Sequence, residues 1–143
     1  MSIWFSTGVS VSDLNAGRLG TLAESLGIEF VSLDENSLSA KMPVDSRTMQ
    51  PFGLLHGGAS LALAETLGSV GAQLVVDPVK FRCVGLDINA NHVRSVSDGE
   101  VLGIASPLHL GFSTQVWEIR VVDNQKRLVA ISRLTMAVLS TRA

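Results

Sequence analysis

A continuous run of small and apolar residues, from Gly57 to Val76, restricts the fold of this chain more than any other feature. Glycine, alanine, serine and leucine occupy nearly every face of a helix drawn over this run. A helix that is apolar all round has to be buried. We therefore expect a central helix over residues 57–76, covered by the rest of the chain.

The segments around this run have the alternation and turn residues of β-strands. Residues 28–34 and 38–44 predict two strands around a tight turn, followed by a loop over residues 44–56. Partial alternation and β-branched residues predict four more strands in an antiparallel meander, at 81–95, 99–111, 114–123 and 127–140. The order of elements predicts an α+β fold, a strongly curved antiparallel sheet around one central helix, in a single domain over residues 1–143.

One short surface helix is predicted over residues 11–26, ahead of the first strand. Ser12 or Asp13 is the expected N-cap, and Gly27 is expected to end the helix. Its apolar stripe would consist of Leu14, Leu19, Leu22 and Leu26.

Charge and composition narrow the classes of function. Charged residues make up 17% of the chain and the formal net charge is −2, without a block of like charges, which argues against nucleic acid as a partner. The single Cys83 allows neither a disulfide within the chain nor a CxxC metal site. We find no signal peptide pattern and no run of the roughly 18–20 apolar residues that cross a bilayer, so we expect a cytoplasmic protein without a membrane partner. A hydrophobic content of 46% with so little charge indicates an oligomer interface.

Glu65 is the acid inside the central run. Its helical neighbours, three and four residues away, are Leu61, Ala62, Gly68 and Ser69, and none is a cation. A glutamate that faces solvent or pairs with a distant arginine is the ordinary alternative. The small apolar surroundings favour a functional site, because burial of an unpaired carboxylate costs several kcal/mol.

The sequence His56-Gly57-Gly58 opens the helix and is the second candidate element of a site. A helix start offers free N–H groups and the positive end of the helix dipole, and glycine lets a ligand approach the backbone. This geometry suits the oxyanion formed when a thioester or ester carbonyl is attacked. Gln50 and His56 add side-chain donors, although the glycines could also serve only the turn.

The spacing between these elements predicts an obligate homodimer. Gly57 and Glu65 are eight residues apart, which is about 12 Å along one helix. A nucleophile or base and an oxyanion donor both have to lie within about 3 Å of the reacting centre. Two antiparallel helices from two subunits would pair each Glu65 with the other subunit's His56-Gly57. The small residues expected near that interface are Gly68, Ser69, Gly71 and Ala72.

Several longer motifs carry a resemblance to a known family. They are MPVDSRTMQPFGLLHGGASLALAE (42–65), GLDINANHVRS (85–95), PLHLG (107–111), QVWEIR (115–120) and SRLTMAVL (132–139). Over nearly the whole chain the sequence resembles the hotdog-fold acyl-CoA thioesterases. It is most similar to the bacterial subgroup that hydrolyses 1,4-dihydroxy-2-naphthoyl-CoA in menaquinone synthesis and to its aryl-CoA thioesterase relatives.

The resemblance implies a hotdog fold, dimers that associate as homotetramers, and roles for individual residues. Glu65 would be the nucleophile or general base, and the Gly57 N–H would polarise the thioester carbonyl. Gln50 and His56 would orient the thioester and the attacking water, and Ser69 would hold substrate or water near Glu65. The residues expected to contact coenzyme A are Gly85, His92, Val93, Arg94, Ser95, His109, Leu110, Gly111, Phe112, Ser113 and Thr114.

One departure from the family concerns the residues after His109-Leu110-Gly111. Close relatives often place an arginine there, whereas this chain has Phe112-Ser113-Thr114. Phe112 could stack on adenine, but a phosphate contact would be lost and the affinity for coenzyme A lowered. The histidines and acids show no metal-ligand spacing, and neither GxGxxG nor a P-loop occurs, so we expect no metal or cofactor beyond the coenzyme A of the substrate.

Three alternatives stay open. The chain could be a non-catalytic hotdog protein that binds acyl-CoA, or a broad-specificity proofreading or medium-chain thioesterase. A hotdog dehydratase is disfavoured because no histidine lies in residues 57–76. The sequence leaves undecided whether Glu65 attacks the thioester or deprotonates water.

Overall fold

The computed structural model describes residues 1–142. The elements in chain order are α1 (Val11–Gly17), α2 (Leu22–Ser25), β1 (Glu29–Leu33), β2 (Leu38–Pro43), α3 (Gly57–Val75), β3 (Phe81–His92), β4 (Glu100–Leu110), β5 (Thr114–Val122) and β6 (Leu128–Ser140).

The strands form one six-stranded antiparallel sheet in the order β1-β2-β4-β5-β6-β3, and α3 packs against one face of it. The α+β architecture predicted from the sequence is confirmed. Alternate residues of the central strands point at the helix, as in the buried cross-strand pairs Trp117–Leu134 and Gln115–Met136. No helix among residues 1–142 has the length and apolar character needed to cross a membrane.

The predicted meander is only partly correct. Strands β4, β5 and β6 follow one another as antiparallel hairpins, but β3 pairs with β6 and not with β4. The reason is that β2 already occupies the free edge of β4. The chain therefore crosses from β3 to β4 through residues 93–99, and β3 lies at the far edge of the sheet.

The single helix predicted over residues 11–26 is wrong, because two short helices lie there. Gly20 between them has a φ of +74°, which ends helical geometry. The N-cap of α1 is Ser10, whose side chain accepts the N–H of Asp13 at 3.1 Å while its own N–H donates to the Asp13 carboxylate. Leu19 and Leu22 are 64% and 62% exposed, so the expected apolar stripe does not form.

Helix α3 buries one of its faces against the sheet and leaves the other half-buried. The buried positions recur every three or four residues, at Ala59, Ser60, Leu63, Ala64, Leu67, Gly68, Gly71 and Ala72. This corrects the expectation that Gly68, Gly71 and Ala72 lie near a subunit interface. A Cβ atom on Gly68 would lie 2.5 Å from Leu134 Cδ2, and one on Gly71 would lie 3.0 Å from the Trp117 ring. These small residues let the helix approach its own sheet.

Candidate active site

The start of α3 leaves one backbone donor unused. His56 is the N-cap, and its Nδ1 accepts the Gly58 N–H at 2.8 Å. Its carbonyl oxygen accepts the N–H groups of Ala59 and Ser60. Within residues 1–142 the Gly57 N–H has no acceptor. The helix therefore presents this N–H, together with the positive end of its dipole, to whatever lies in front of it.

The hydrogen bond from Gly58 determines the tautomer of the neutral His56 ring. Since Nδ1 accepts a hydrogen bond from Gly58, the ring proton is on Nε2. The side chain is exposed. His56 thus offers an N–H donor beside Gly57.

A cavity of about 480 Å³ lies at this end of the helix. Its wall is made by the loop before α3, the first turn of α3, the end of β3 and the start of β6, and its residues are Gln50, Leu54, Leu55, Gly57, Ser60, His92, Val93, Arg94, Ser95 and Val129. Predicted site residues that lie far apart in the sequence therefore meet here. They are Gln50, Gly57 and the segment from His92 to Ser95.

The side chain of Gln50 is oriented by its own loop. Its Oε1 accepts the Phe52 N–H at 2.5 Å, so the side-chain NH₂ group is left to donate. The loop itself is held by hydrogen bonds from Leu55 N–H to the Val96 carbonyl and from His56 N–H to the Thr48 carbonyl. Gln50 is therefore a fixed donor on the cavity wall.

Two charged or titratable side chains from the end of β3 complete this cavity. A Cβ atom on Gly57 would lie 3.0 Å from His92 Nε2, so the imidazole lies directly against the glycine. The N–H groups of Val93 and Arg94 both donate to the Val129 carbonyl, which holds this segment beside β6. No ion pair within residues 1–142 involves Arg94.

Glu65 lies two turns further along α3, outside the lining of that cavity. Its side chain is half-buried, and no cation within residues 1–142 forms an ion pair with it. Ser69 Oγ donates to Glu65 Oε1 at 3.4 Å, and Gly85 of β3 lies against the same oxygen. The predicted residues Glu65, Ser69 and Gly85 thus form a second group.

The third group of predicted residues is the β4–β5 hairpin. His109 folds over Gly111, where a Cβ atom would lie 2.5 Å from the imidazole Nε2. The Ser113 carbonyl accepts the Val138 N–H, and Thr114 begins β5. Leu110, Gly111 and Phe112 line a cavity of about 370 Å³ near the other end of α3, where Phe112 stands edge-on to Phe81 with ring centroids 6.3 Å apart.

Comparison with known proteins identifies the family. The model of the thioesterase superfamily matches residues 52–130, which is more than half of the chain. The chain belongs to the thioesterase superfamily. It is an enzyme of that class, a thioester hydrolase, and its α+β fold is the hotdog fold of such enzymes.

Named relatives of this thioesterase match it over most of their length. The 1,4-dihydroxy-2-naphthoyl-CoA hydrolase of Escherichia coli is 50% identical over 92% of this chain and 96% of that protein. The proofreading thioesterase EntH of Cronobacter turicensis is 52% identical over 92% of this chain and 95% of that protein. The crystal structure of a mutant thioesterase PA1618 from Pseudomonas aeruginosa superimposes with a TM-score of 0.95 and 48% identity, covering 97% of this chain and 99% of that one.

Four residues on the wall of the larger cavity of the thioesterase were not predicted from its sequence. They are Leu54, Leu55, Ser60 and Val129. Ser60 lies one helical turn after Gly57 on the same side, so helical spacing was a usable signal for it. Val129 carried no such signal, because its place depends on the pairing of β3 with β6. Within residues 1–142 no cluster of three potential metal ligands occurs.

Proposed function

We propose that this thioesterase hydrolyses an acyl-CoA thioester with an aromatic acyl group, such as 1,4-dihydroxy-2-naphthoyl-CoA, to the free acid and coenzyme A. The observation that carries the proposal is the pairing of an unused Gly57 N–H at a cavity with a cation-free carboxylate, Glu65, on the same helix. The first group suits a developing oxyanion, and the second suits a nucleophile or base.

The two groups would act together across a homodimer. Eight residues of α3 separate them, about 12 Å along the axis, which is too far for one substrate carbonyl within one chain. Two features support a second copy of the chain. The half-buried face of α3 carries Glu65, and within residues 1–142 β3 has a strand on only one side, with Val84 and Leu86 exposed along it. Two such dimers would form the homotetramer that the family resemblance implies.

In the proposed reaction the Gly57 N–H of one subunit binds the thioester carbonyl oxygen. The Gln50 amide and the His56 Nε2–H hold the thioester and the water nearby. Glu65 of the other subunit either attacks the carbonyl carbon or removes a proton from water. In the first route a mixed anhydride forms as the coenzyme A thiolate leaves, and water then breaks the anhydride; in the second, water adds directly and the thiolate leaves.

Coenzyme A would be held by a few separate contacts, in keeping with the low net charge. Arg94 is available for a phosphate group, since no acid in residues 1–142 pairs with it. His92, Ser95 and the hairpin residues His109 to Thr114 would contact the pantetheine and nucleotide. No metal or other cofactor takes part in this proposal.

The choice of an aromatic acyl group is supported by the relatives. One is named for hydrolysis of 1,4-dihydroxy-2-naphthoyl-CoA and another as a proofreading thioesterase, at 50% and 52% identity. A role in menaquinone synthesis and a cytoplasmic location would accompany the first substrate. Membership of the thioesterase superfamily disfavours a non-catalytic acyl-CoA-binding protein. The alternative that stays open is a broad-specificity proofreading or medium-chain thioesterase.

The test is release of coenzyme A from dihydroxynaphthoyl-, benzoyl-, hydroxybenzoyl-, phenylacetyl- and hexanoyl-CoA, followed with a thiol-reactive dye. We expect Glu65→Ala to lower kcat by a factor of about 10³ or more, roughly 4 kcal/mol of transition-state stabilisation. The control is Glu29→Ala, which removes only a surface ion pair to Lys41 at 3.8 Å. Wild-type rates in the Glu65→Ala variant would remove Glu65 from the proposed reaction, and the order of substrates would identify the acyl group.

The dimer is tested by mixing two inactive variants, Glu65→Ala and Gln50→Ala, after unfolding and refolding them together. A mixed dimer contains one site with both residues intact. Random pairing should therefore restore about a quarter of the wild-type activity. If mixing restores nothing, Glu65 and Gln50 of the same chain act together.

A further inference from the structure

Gly85 of β3 lies directly under the Glu65 carboxylate. A Cβ atom on Gly85 would be 2.7 Å from Glu65 Oε1 and 3.7 Å from its Cδ, whereas Met136 Sδ would be 4.0 Å away, at ordinary contact distance. The carboxylate therefore occupies the space that any side chain at position 85 would fill.

The backbone of Gly85 does not itself require glycine. The glycines with positive φ among residues 1–142 are Gly8, Gly20, Gly27, Gly53 and Gly99, and Gly85 is not one of them. No positive φ therefore stands against alanine at position 85. What excludes a side chain is the position of the glutamate.

The strand is also irregular at this point. Gly85 pairs with Met136 of β6, but the next paired residue of β3 is Asp87, so the register shifts and Leu86 is left out of the ladder. Such a bulge changes the direction of a strand locally, and bulges are frequent beside active sites. Here it immediately follows the residue against which Glu65 rests.

The contacts of the carboxylate are unequal. Oε1 lies against Gly85 and accepts the Ser69 hydroxyl, which is itself 3.9 Å from Met136 Sδ. No hydrogen bond reaches Oε2 from residues 1–142. One oxygen is thus held by the chain, and the other is free to face a substrate.

We propose that Gly85 is a positioning residue. Because it has no side chain, Glu65 Oε1 can occupy the space above it, and Oε2 then faces the thioester. The inference rests on the proposed catalytic role of Glu65. It gives Gly85 a function that differs from the contact with coenzyme A expected from the family resemblance.

The first test is the kinetics of Gly85→Ala with benzoyl-CoA. A displacement of the carboxylate by about 1 Å should lower kcat on the order of 10²-fold and leave KM within about twofold. The matched control is Gly17→Ala, since a Cβ atom there meets nothing within 4 Å and its φ is not positive. That variant should keep wild-type kinetics. A raised KM with unchanged kcat would overturn the inference and indicate direct contact with the substrate.

The second test places the same change in a chain without the carboxylate. The atoms nearest to the added Cβ belong to Glu65. The Glu65→Ala/Gly85→Ala variant should therefore have the same Tm as the Glu65→Ala variant and bind benzoyl-CoA with the same affinity. Weaker binding or failure to fold in the double variant would overturn the inference. If Glu65→Ala alone is fully active, the proposed catalytic role of Glu65 fails and the inference with it. If Glu65→Ala is inactive but Gly85→Ala is normal, only the inference fails.

Discussion

The two faces of α3 obey different rules. On the face towards the sheet, packing decides most positions: Leu63 and Leu67 are fully buried, and Gly68 and Gly71 leave space for Leu134 and Trp117. On the opposite face, Glu65, Ser69 and Gln73 are half-buried and polar. The first face is packed within one chain, whereas the second carries a carboxylate, Glu65, that forms no ion pair within residues 1–142.

The difference between the two faces separates stability from function on the single helix α3. Side chains that fill the core make contacts which a single chain supplies entirely. On the other face, Glu65 keeps hydrogen-bonding capacity that water, substrate or a second subunit has to satisfy. Substitutions on the two faces should therefore separate unfolding from catalysis.

The largest effect on folding is expected from Leu67→Ala. Leu67 is fully buried, and a Cβ atom on Gly103 would come within 2.6 Å of its Cδ1, so the surroundings are tightly packed. Removing a buried leucine side chain should lower the free energy of unfolding by about 2–5 kcal/mol. Urea denaturation measures this loss, and kcat per folded molecule should stay near the wild-type value.

The counterpart is Glu65→Ala, two residues away on the other face. Its free energy of unfolding should change by less than about 1 kcal/mol, because within residues 1–142 only the hydrogen bond from Ser69 at 3.4 Å is lost, and no ion pair or core packing is lost with it. The comparison breaks if Glu65→Ala unfolds as easily as Leu67→Ala, since the acid would then be part of the core.

Gln73 lies on the same face of α3 as Glu65, near the C-terminal end of the helix. Its replacement tests whether this face also has a structural role. Its Nε2 donates to the Phe81 carbonyl at 3.2 Å, and its Oε1 accepts the Cys83 N–H at 3.0 Å, which ties α3 to the edge strand β3. Loss of both bonds in Gln73→Ala should cost about 1–2 kcal/mol. Amide hydrogen exchange should show faster exchange at Cys83 than at central residues of β5.

A matched control lies on the same face. Among residues 1–142 the Thr66 hydroxyl donates only to the Ala62 carbonyl of its own helix, at 2.7 Å. Thr66→Ala should therefore leave exchange in β3 unchanged. Equal acceleration in both variants would mean that this face of α3 contributes to β3 as a whole and not through Gln73.

The central helix α3, the candidate role of its one acid, Glu65, and the α+β class could be predicted from the sequence because each depends on a local pattern of residues. A uniformly apolar run has no period, however, so it could not tell which side of α3 faces the sheet, and Gly68 and Gly71 were assigned to the wrong side. The place of β3 depends on which strand edges are already occupied, a property of the whole sheet. The contact between Glu65 and Gly85 and the place of Val129 in the cavity wall follow from that pairing. Neither could be predicted from sequence spacing alone.

Acid titration sharpens the comparison by separating unfolding from loss of catalysis. Burial of Asp123 opposes ionisation, but hydrogen bonds from Arg127 and Gln125 outweigh it and lower the pKa of its carboxyl. A carboxyl with a lowered pKa stabilises the fold at pH values above its unfolded pKa of about 4, and this contribution is lost as the pH falls through the folded value. Wild-type Tm should therefore be nearly constant down to about pH 4 and fall below it.

Asp123→Asn should lower Tm at pH 7 by less than Gln73→Ala does, and should flatten the fall of Tm in acid. Differential scanning calorimetry between about pH 2 and pH 7 measures both. Asp98→Asn is the control, because no residue within 1–142 hydrogen bonds to that carboxylate, and it should follow the wild-type curve. If thioesterase activity is lost at a pH where the Tm of both variants is still constant, the loss arises on the half-buried face of α3 that carries Glu65. If activity and Tm fall together in every variant, acid acts on the fold and the two faces are not independent.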